Sequence, residues 1–286
     1  MIVVTAATGQ FGRLVIDALL DRGTPASEIV AAVRTPAKAA DIAARGVEVR
    51  EADYSKPETL VPAFTGADKL LFVSSTGPEA DRIAHHAAVV AAATEARVGQ
   101  LLYTSIYSAS DSPLGLSRVH RDTEARIAAS GLPSVLLRNG WYTENYTGSL
   151  AGAVERGAVA GSAGEGRIAS AARIDFAEAA AIVLLADDQA GKVYELTGDT
   201  NWSLAELAAE AARQSGKEVA YANLPAEKYG EILTGVGLPA FLVELLVDAD
   251  LRVSEGALAG ITGDLSGLLG RPTTPLADTV AAALKG

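Results

Sequence analysis

The sequence contains no cysteine, which removes disulfides, thiol catalysis and thiolate-held metals from consideration. Aromatic residues make up only 5% of the 286 residues, so a core has to be filled by Ala, Val and Leu, within a hydrophobic content of 49%. Positive charge is also short: 24 Lys and Arg stand against 35 Asp and Glu, a formal net charge of −11. A surface that acidic argues against nucleic acid and against an anionic membrane as partners, and any bound phosphate needs local basic residues. No apolar run reaches membrane-spanning length, and the N-terminus reads as a strand without a basic, cleavable leader. The expectation is a soluble cytoplasmic protein. The three histidines are His85, His86 and His120. His85 and His86 are neighbours on a predicted helix and cannot both face one site, and no third ligand falls in pattern, so no metal site is expected. His120 shares a helix face with Glu124 at i, i+4 and is open to a proton-relay or a structural reading.

What is present is an alternation of short apolar strands and amphipathic helices. Strands are predicted at 1–5, 29–33, 47–50, 70–73, 98–104 and 134–138. Helices follow the first strand (Phe11, Leu14, Val15, Ala18 and Leu19 keep helical spacing), open at Pro36 and Lys56, and cover 79–96 and about 116–130. This pattern predicts an α/β fold: a Rossmann-type doubly wound parallel sheet with a smaller, mostly helical C-terminal lobe. The cofactor lobe is placed at 1–140, with 170–198 returning to it, and the substrate lobe at 141–286. Residues 139–172 read as loops plus a short helix. Asp175 is expected to cap a helix through about 185, a strand returns at 192–196, and Ser203 to Glu206 form a capping box.

Ala6-Ala7-Thr8-Gly9-Gln10-Phe11-Gly12 joins the first strand to the first helix. Small residues there let the backbone approach an anion, and the helix offers its N-terminal amides and dipole. An ordinary strand-to-helix turn is the alternative. Ala6 stands where a glycine is expected; the added methyl predicts that the turn holds Ala6 at negative φ. An NAD site would place Asp or Glu at the end of the second strand to bind the ribose diol. Arg34 stands there instead, with Lys38 a turn further on. A guanidinium suits a 2′-phosphate, which predicts NADP(H) over NAD(H), against the alternative of a solvated arginine. Asp53 either binds the adenine amine or caps the next helix. Ser74, Ser75 and Thr76 follow the fourth strand, where hydroxyls can touch the nicotinamide ribose or serve as ordinary loop chemistry.

Asn139-Gly140-Trp141-Tyr142-Thr143-Glu144-Asn145-Tyr146 follows the sixth strand and gathers three of the scarce aromatics. A flat ligand stacked near the nicotinamide accounts for them, with Trp141, Tyr142 and Tyr146 as walls, as does a purely structural wedge between lobes. None of the eight tyrosines has Lys four residues later, so the Tyr-x-x-x-Lys dyad that protonates ketones in common short-chain reductases is missing. An acceptor that becomes aromatic on reduction, such as a quinone, or a cationic dye, needs less acid help.

These stretches, with Val33-Arg34-Thr35-Pro36-Ala37-Lys38, Ala52-Asp53-Tyr54, Ser112 to Leu116, Lys192 to Leu196 and Arg271 to Thr274, resemble the NmrA-like branch of atypical short-chain dehydrogenases. The likeness runs nearly end to end and is strongest to type 2 NAD(P)H:quinone oxidoreductases, with triphenylmethane dye reductases as near kin. The resemblance implies flavin-free hydride transfer from NADPH to a quinone or dye. It implies that Ala6 to Phe11, Arg34, Ser74 to Thr76 and Asn139 to Glu144 hold the cofactor and that Asn145 orients the acceptor oxygen. Catalysis is assigned to Asn145 and Tyr142, and the acceptor pocket to Trp141, Asn145 and Tyr146. The departure is Ala6 for Gly, which bears on affinity more than on cofactor identity. A redox sensor that binds NADP(H) without turnover is the second reading, and a homodimer is left open.

Overall fold

The computed structural model describes residues 1–285. They divide into two compact units. The first is Met1–Ala109, Val119–Asn139 and Phe176–Tyr194; the second is Ser110–Arg118, Gly140–Asp175 and the chain from Glu195 on. The sequence places the return to the cofactor lobe at 170–198 and 110–118 within that lobe; the structure gives Phe176–Tyr194 to the first unit and Ser110–Arg118 to the second.

The first unit is built on a seven-stranded sheet. Its strands are β1 (Ile2–Thr5), β2 (Ile29–Val33), β3 (Glu48–Glu51), β4 (Lys69–Phe72), β5 (Gln100–Ile106) and β6 (Ser134–Asn139), in the order β3-β2-β1-β4-β5-β6, with Val193–Leu196 at the far edge. The pairs among β1 to β6 are parallel; Ile2 lies opposite Ile29 on one side and Lys69 on the other. β1 and β2 are buried along their whole length, as apolar, β-branched strands with both faces covered should be. Strand order reverses between β1 and β4, which leaves a crevice at their carboxyl ends.

Helix α1 (Gln10–Asp21) follows β1 and buries Phe11, Val15, Ile16, Ala18 and Leu19. Val15, Ile16 and Leu19 are fully buried, worth about 1.5–3 kcal/mol each. One core cluster of this unit lies around Phe64, Leu70, Phe72, Leu101 and Tyr103. Phe72 packs 5.0 Å from Tyr103 and edge-on, 5.8 Å, to Tyr54. Lys69 sends its Nζ to the Leu184 and Ala186 carbonyls, both at 2.7 Å, placing a cation where helix Arg173–Leu185 needs one.

The second unit carries helices Glu144–Thr147, Leu150–Arg156, Leu204–Ser215, Ala226–Gly235, Ala240–Ser254, Asp264–Leu269 and Leu276–Lys285. The Ser203 capping box is present: Ser203 Oγ accepts from the Glu206 amide at 3.2 Å, and Glu206 accepts from the Ser203 amide at 2.7 Å. Residues 139–172 hold more order than the sequence implied. Ala158–Gly161 pairs in parallel with Ala220–Asn223, and Arg167–Ile168 pairs antiparallel with Trp202–Ser203. Strands this short gain their meaning from partners far along the chain, which no local pattern carries.

Asp175 does not cap its helix. The helix starts at Arg173, and its first amide is received by the Glu144 carboxylate at 2.9 and 3.0 Å. Asp175 is fully buried and instead accepts from the amide and hydroxyl of Thr274, at 2.7 and 3.0 Å, and from Arg271 at 2.9 Å. It anchors the C-terminal segment, and Glu144 supplies the negative charge at the helix start.

Candidate functional site

The turn after β1 is tight. The Gly9 amide donates to the Ala6 carbonyl at 2.8 Å, and Gly9 is the residue from which α1 springs. A Cβ on Gly9 would lie 3.1 Å from the Ala6 oxygen. One on Gly12 would come to 2.6 Å from the same oxygen and 2.9 Å from the Ala7 Cα, so Gly12 is the position that admits no side chain. Ala6 has φ +48°, which overturns the expectation of a negative value. The turn needs a left-handed residue after Thr5, and alanine accepts that conformation at a cost of about 1–2 kcal/mol. Ala7 and Phe11 are buried, Thr8 is half-buried, and Gly9 and Gln10 are exposed. No side chain caps α1 and no acidic residue sits in its first turn. A close-approaching backbone and a helix start without a carboxylate are what a pyrophosphate requires, so the residues present fit a dinucleotide.

Arg34 directly follows β2 and is exposed, as is Lys38 in the next turn. Asp53 is 8% exposed and accepts from the Ser55 amide at 3.0 Å and the Ser55 hydroxyl at 2.7 Å. Burial pushes its carboxyl up, but the Ser55 hydrogen bonds and the charges of Lys56 and Arg34 outweigh this and hold it below the usual carboxylate range. Its side chain does not cap the helical turn at Pro57–Thr59.

Ser74, Ser75 and Thr76 follow β4 at the carboxyl edge of the sheet. Beneath them lies a buried polar cluster that the sequence did not assemble. His86 and His120, from different helices, are 0% and 3% exposed. His86 Nε2 accepts from the Ser75 amide at 2.9 Å, and its Nδ1 lies 2.7 Å from Thr123 Oγ1. His120 Nε2 lies 3.3 Å from Arg82 Nη2, and its Nδ1 lies 2.8 Å from the Tyr103 hydroxyl. Arg82 can only donate, so His120 Nε2 is the acceptor and Nδ1 carries the proton in the neutral ring. Burial pushes His86 down to about 3, with Arg82 and His85 adding to it, and holds His120 well below its usual range. Both rings are neutral at pH 7. Glu124, on the same helix as His120, receives a forked pair of bonds from Arg138, at 3.0 and 2.7 Å, and one from Ser105 at 2.5 Å.

In the second unit, the Gly140 amide donates to the Leu196 carbonyl at 2.6 Å. Trp141 is 6% exposed. Tyr142 is half-buried, pairs with Ala171, and carries the Arg173 guanidinium 5.0 Å from its ring centre. The buried Thr143 hydroxyl lies 2.8 Å from Ser170 Oγ, which also receives Trp202 Nε1 at 3.0 Å. Tyr146 meets the Trp202 ring edge-on at 5.3 Å. Asn145 is exposed.

The NAD(P)H-binding family model matches residues 6–187. Quinone oxidoreductase 2 of Escherichia coli is 48% identical over 98% of this chain and 98% of that protein. The chain belongs to the NAD(P)H-binding, NmrA-like family. The crystal structure of the NADPH-dependent quinone oxidoreductase of E. coli complexed with NADPH superposes with a TM-score of 0.94, at 48% identity and 99% coverage of both chains. The Citrobacter triphenylmethane reductase complexed with NADP(H) gives a TM-score of 0.94 at 39% identity, covering 99% of this chain and all of that one. The matched segment contains the turn after β1, Arg34 and the Ser74–Thr76 stretch.

Within each unit the structure gathers some of the expected residues and reassigns others. In the first unit, Ala6 to Gly12 and Ser74 to Thr76 flank the order reversal, and Asn139 ends β6. In the second, Glu144 and Thr143 are engaged with Arg173 and Ser170. Arg173, Ser170 and Trp202 were missed; the one available signal was that Trp202 is the other of two tryptophans. Among the described residues no group of three or more His, Asp or Glu is placed to hold a metal ion, and no helix is long and apolar enough to cross a membrane.

Proposed function

We propose that this chain is an NADPH-dependent quinone oxidoreductase that works without a flavin, with planar cationic dyes as further acceptors. The observation that carries the reading is the cradle at Ala6–Gly12, where a Cβ at Gly12 would meet backbone at 2.6 Å. The full-length identity to the E. coli enzyme supports the acceptor class.

Bound NADPH supplies a hydride, and the quinone takes that hydride and one proton to become a hydroquinone. The chain's part is to bind and orient. The first-turn amides of α1 and the glycine-lined turn, from Ala6 through Ala7, Thr8, Gln10 and Phe11, take the pyrophosphate. Arg34 grips the 2′-phosphate as a fork, with Lys38 adding charge. Asp53 keeps an oxygen for the adenine amine. Ser74, Ser75, Thr76 and Asn139 of the first unit are assigned to the nicotinamide half, and Gly140 to Glu144 of the second unit are assigned to the cofactor by the family likeness. Asn145 donates from its amide to an acceptor oxygen, and Trp141, Tyr142 and Tyr146 offer flat apolar faces. Without an acid dyad, the rate enhancement is mainly proximity and orientation, which suits an acceptor driven by the aromaticity it gains.

The test is NADPH oxidation with a simple benzoquinone, with no flavin added. Turnover above the uncatalysed rate is expected, with NADPH preferred to NADH. Absence of turnover with every quinone and dye at saturating cofactor would overturn the reading.

A further inference from the structure

Three successive amides at the end of β4 are received by three side chains from three different elements. The Val73 N–H donates to Thr5 Oγ1 of β1, the Ser74 N–H to Thr104 Oγ1 of β5, and the Ser75 N–H to His86 Nε2 of helix Glu79–Glu95, each at 2.9 Å. The three acceptors are buried, with exposures of 0%, 3% and 0%. A loop whose amides are spent in this way cannot form the nest of free N–H groups that holds a phosphate. What it has left to offer is hydroxyl. The Ser75 Oγ is buried and finds no partner among the described residues. A buried hydroxyl without a partner calls for a ligand or a water.

The His86 ring is locked in this task. Because the Ser75 N–H is a donor, Nε2 must accept, so the proton of the neutral ring is on Nδ1 and is donated to Thr123 Oγ1 at 2.7 Å. Thr123 in turn donates to the Val119 carbonyl at 2.7 Å. The Tyr103 hydroxyl also lies 3.4 Å from His86 Nδ1, but the bond to Thr123 is much the shorter and runs on to a main-chain oxygen, which orients the ring. The ring edge also packs 5.0 Å from Phe72, at 80°.

We propose that His86 is a positioning residue that fixes the Val73–Ser75 strand end as a hydroxyl-presenting rail, with Ser75 Oγ aimed at an uncharged part of the cofactor: the ribose diol or carboxamide of its nicotinamide half. The inference rests on the NADPH reading above. It separates two kinds of contact within the first unit: charged contacts at the turn after β1 and at Arg34, and neutral ones after β4.

The test compares His86→Leu, which removes the acceptor, with His86→Gln, which keeps one. Affinities for NADP+ and for 2′,5′-ADP, which lacks the nicotinamide half, are measured by calorimetry alongside melting temperature. His86→Leu is expected to bind 2′,5′-ADP as the wild type does while its preference for NADP+ over the fragment shrinks by about three- to tenfold, the worth of one hydrogen bond. His86→Gln should restore most of that preference, even where both variants melt earlier. An unchanged preference in His86→Leu, or equal losses in both variants that track melting temperature, would overturn the proposal. If His86→Leu does not fold, Ser75→Ala tests the aimed hydroxyl directly and should show the same selective loss; a wild-type preference there would sink the idea. The readout is binding, so it stands apart from turnover: wild-type protein that binds NADP+ but reduces no quinone would overturn the proposed function and leave this inference to be decided by the variants.

Discussion

The carbonyl oxygen of Ala6 sits 2.6 Å from where a Cβ on Gly12 would be, and the same oxygen accepts the Gly9 amide at 2.8 Å. The turn therefore cannot swing away to admit a side chain without breaking its own closure. Gly12→Ala is expected to destabilise the protein by about 1–3 kcal/mol through overpacking against backbone. NADPH affinity should fall with it, because the α1 amides shift relative to the turn. Urea unfolding and cofactor titration check both; a variant with wild-type stability and affinity would contradict the steric reading.

Ala6 itself points the other way. With φ at +48° it occupies a conformation that costs alanine about 1–2 kcal/mol. Ala6→Gly removes that strain but adds about 0.4–1 kcal/mol of chain entropy in the unfolded state. The expected outcome is a small gain in stability, on the order of 0.5–1 kcal/mol, without loss of NADPH binding. A clear loss of stability on denaturant unfolding would show that the turn does not hold this residue left-handed.

Arg34 follows β2 in the open, and its charge reaches Asp53. If it holds the 2′-phosphate, Arg34→Ala should weaken NADPH binding by about tenfold or more, since charge-assisted bonds of this kind contribute about 1.5–3 kcal/mol. NADH has no such phosphate and should be nearly unaffected. Parallel titrations with the two cofactors decide it; equal losses would refute the assignment.

The parts of this protein that were readable in advance are those governed by neighbours in sequence. β2 falls at Ile29–Val33 as expected, because five consecutive apolar residues bounded by polar ones leave little choice. The Ser203 capping box is encoded within four residues. The fold class and the cofactor followed from the strand, the turn and Arg34. What escaped depends on distance along the chain. Glu144 caps a helix that begins 29 residues later, Ala158–Gly161 is a strand only because Ala220–Asn223 lies beside it, and His86 meets His120 edge-on, at 6.4 Å between ring centres, from a different helix. Ala6 departs from the expected negative φ for a different reason. Its steric cost is not a prohibition: a turn closed by the Gly9 amide imposes about 1–2 kcal/mol on one residue.

Asp250 yields a prediction whose sign runs against the usual acidic residue. It is 2% exposed in the second unit and accepts the Ser162 amide at 2.7 Å. Burial pushes its carboxyl up from 3.8 to about 6, with only the Ser162 bond working against this, and its charge is felt at the uncharged phenols of Tyr146, Tyr221 and Tyr229. A raised acid favours folding in its protonated form. Its contribution is fully present below pH 3.8 and is lost as pH rises through about 6. Asp250→Asn keeps an oxygen for the Ser162 amide and carries no charge, so it should be more stable than the wild type at neutral pH, by about 1–3 kcal/mol. The advantage should shrink toward zero as the pH is lowered to about 4, where the wild-type carboxyl is protonated in the folded state as well. Urea unfolding of both proteins across that range measures the difference directly. A wild type that is more stable than Asp250→Asn at neutral pH would mean that the carboxylate is charged and well partnered in the fold, and the burial argument for Asp250 would fail.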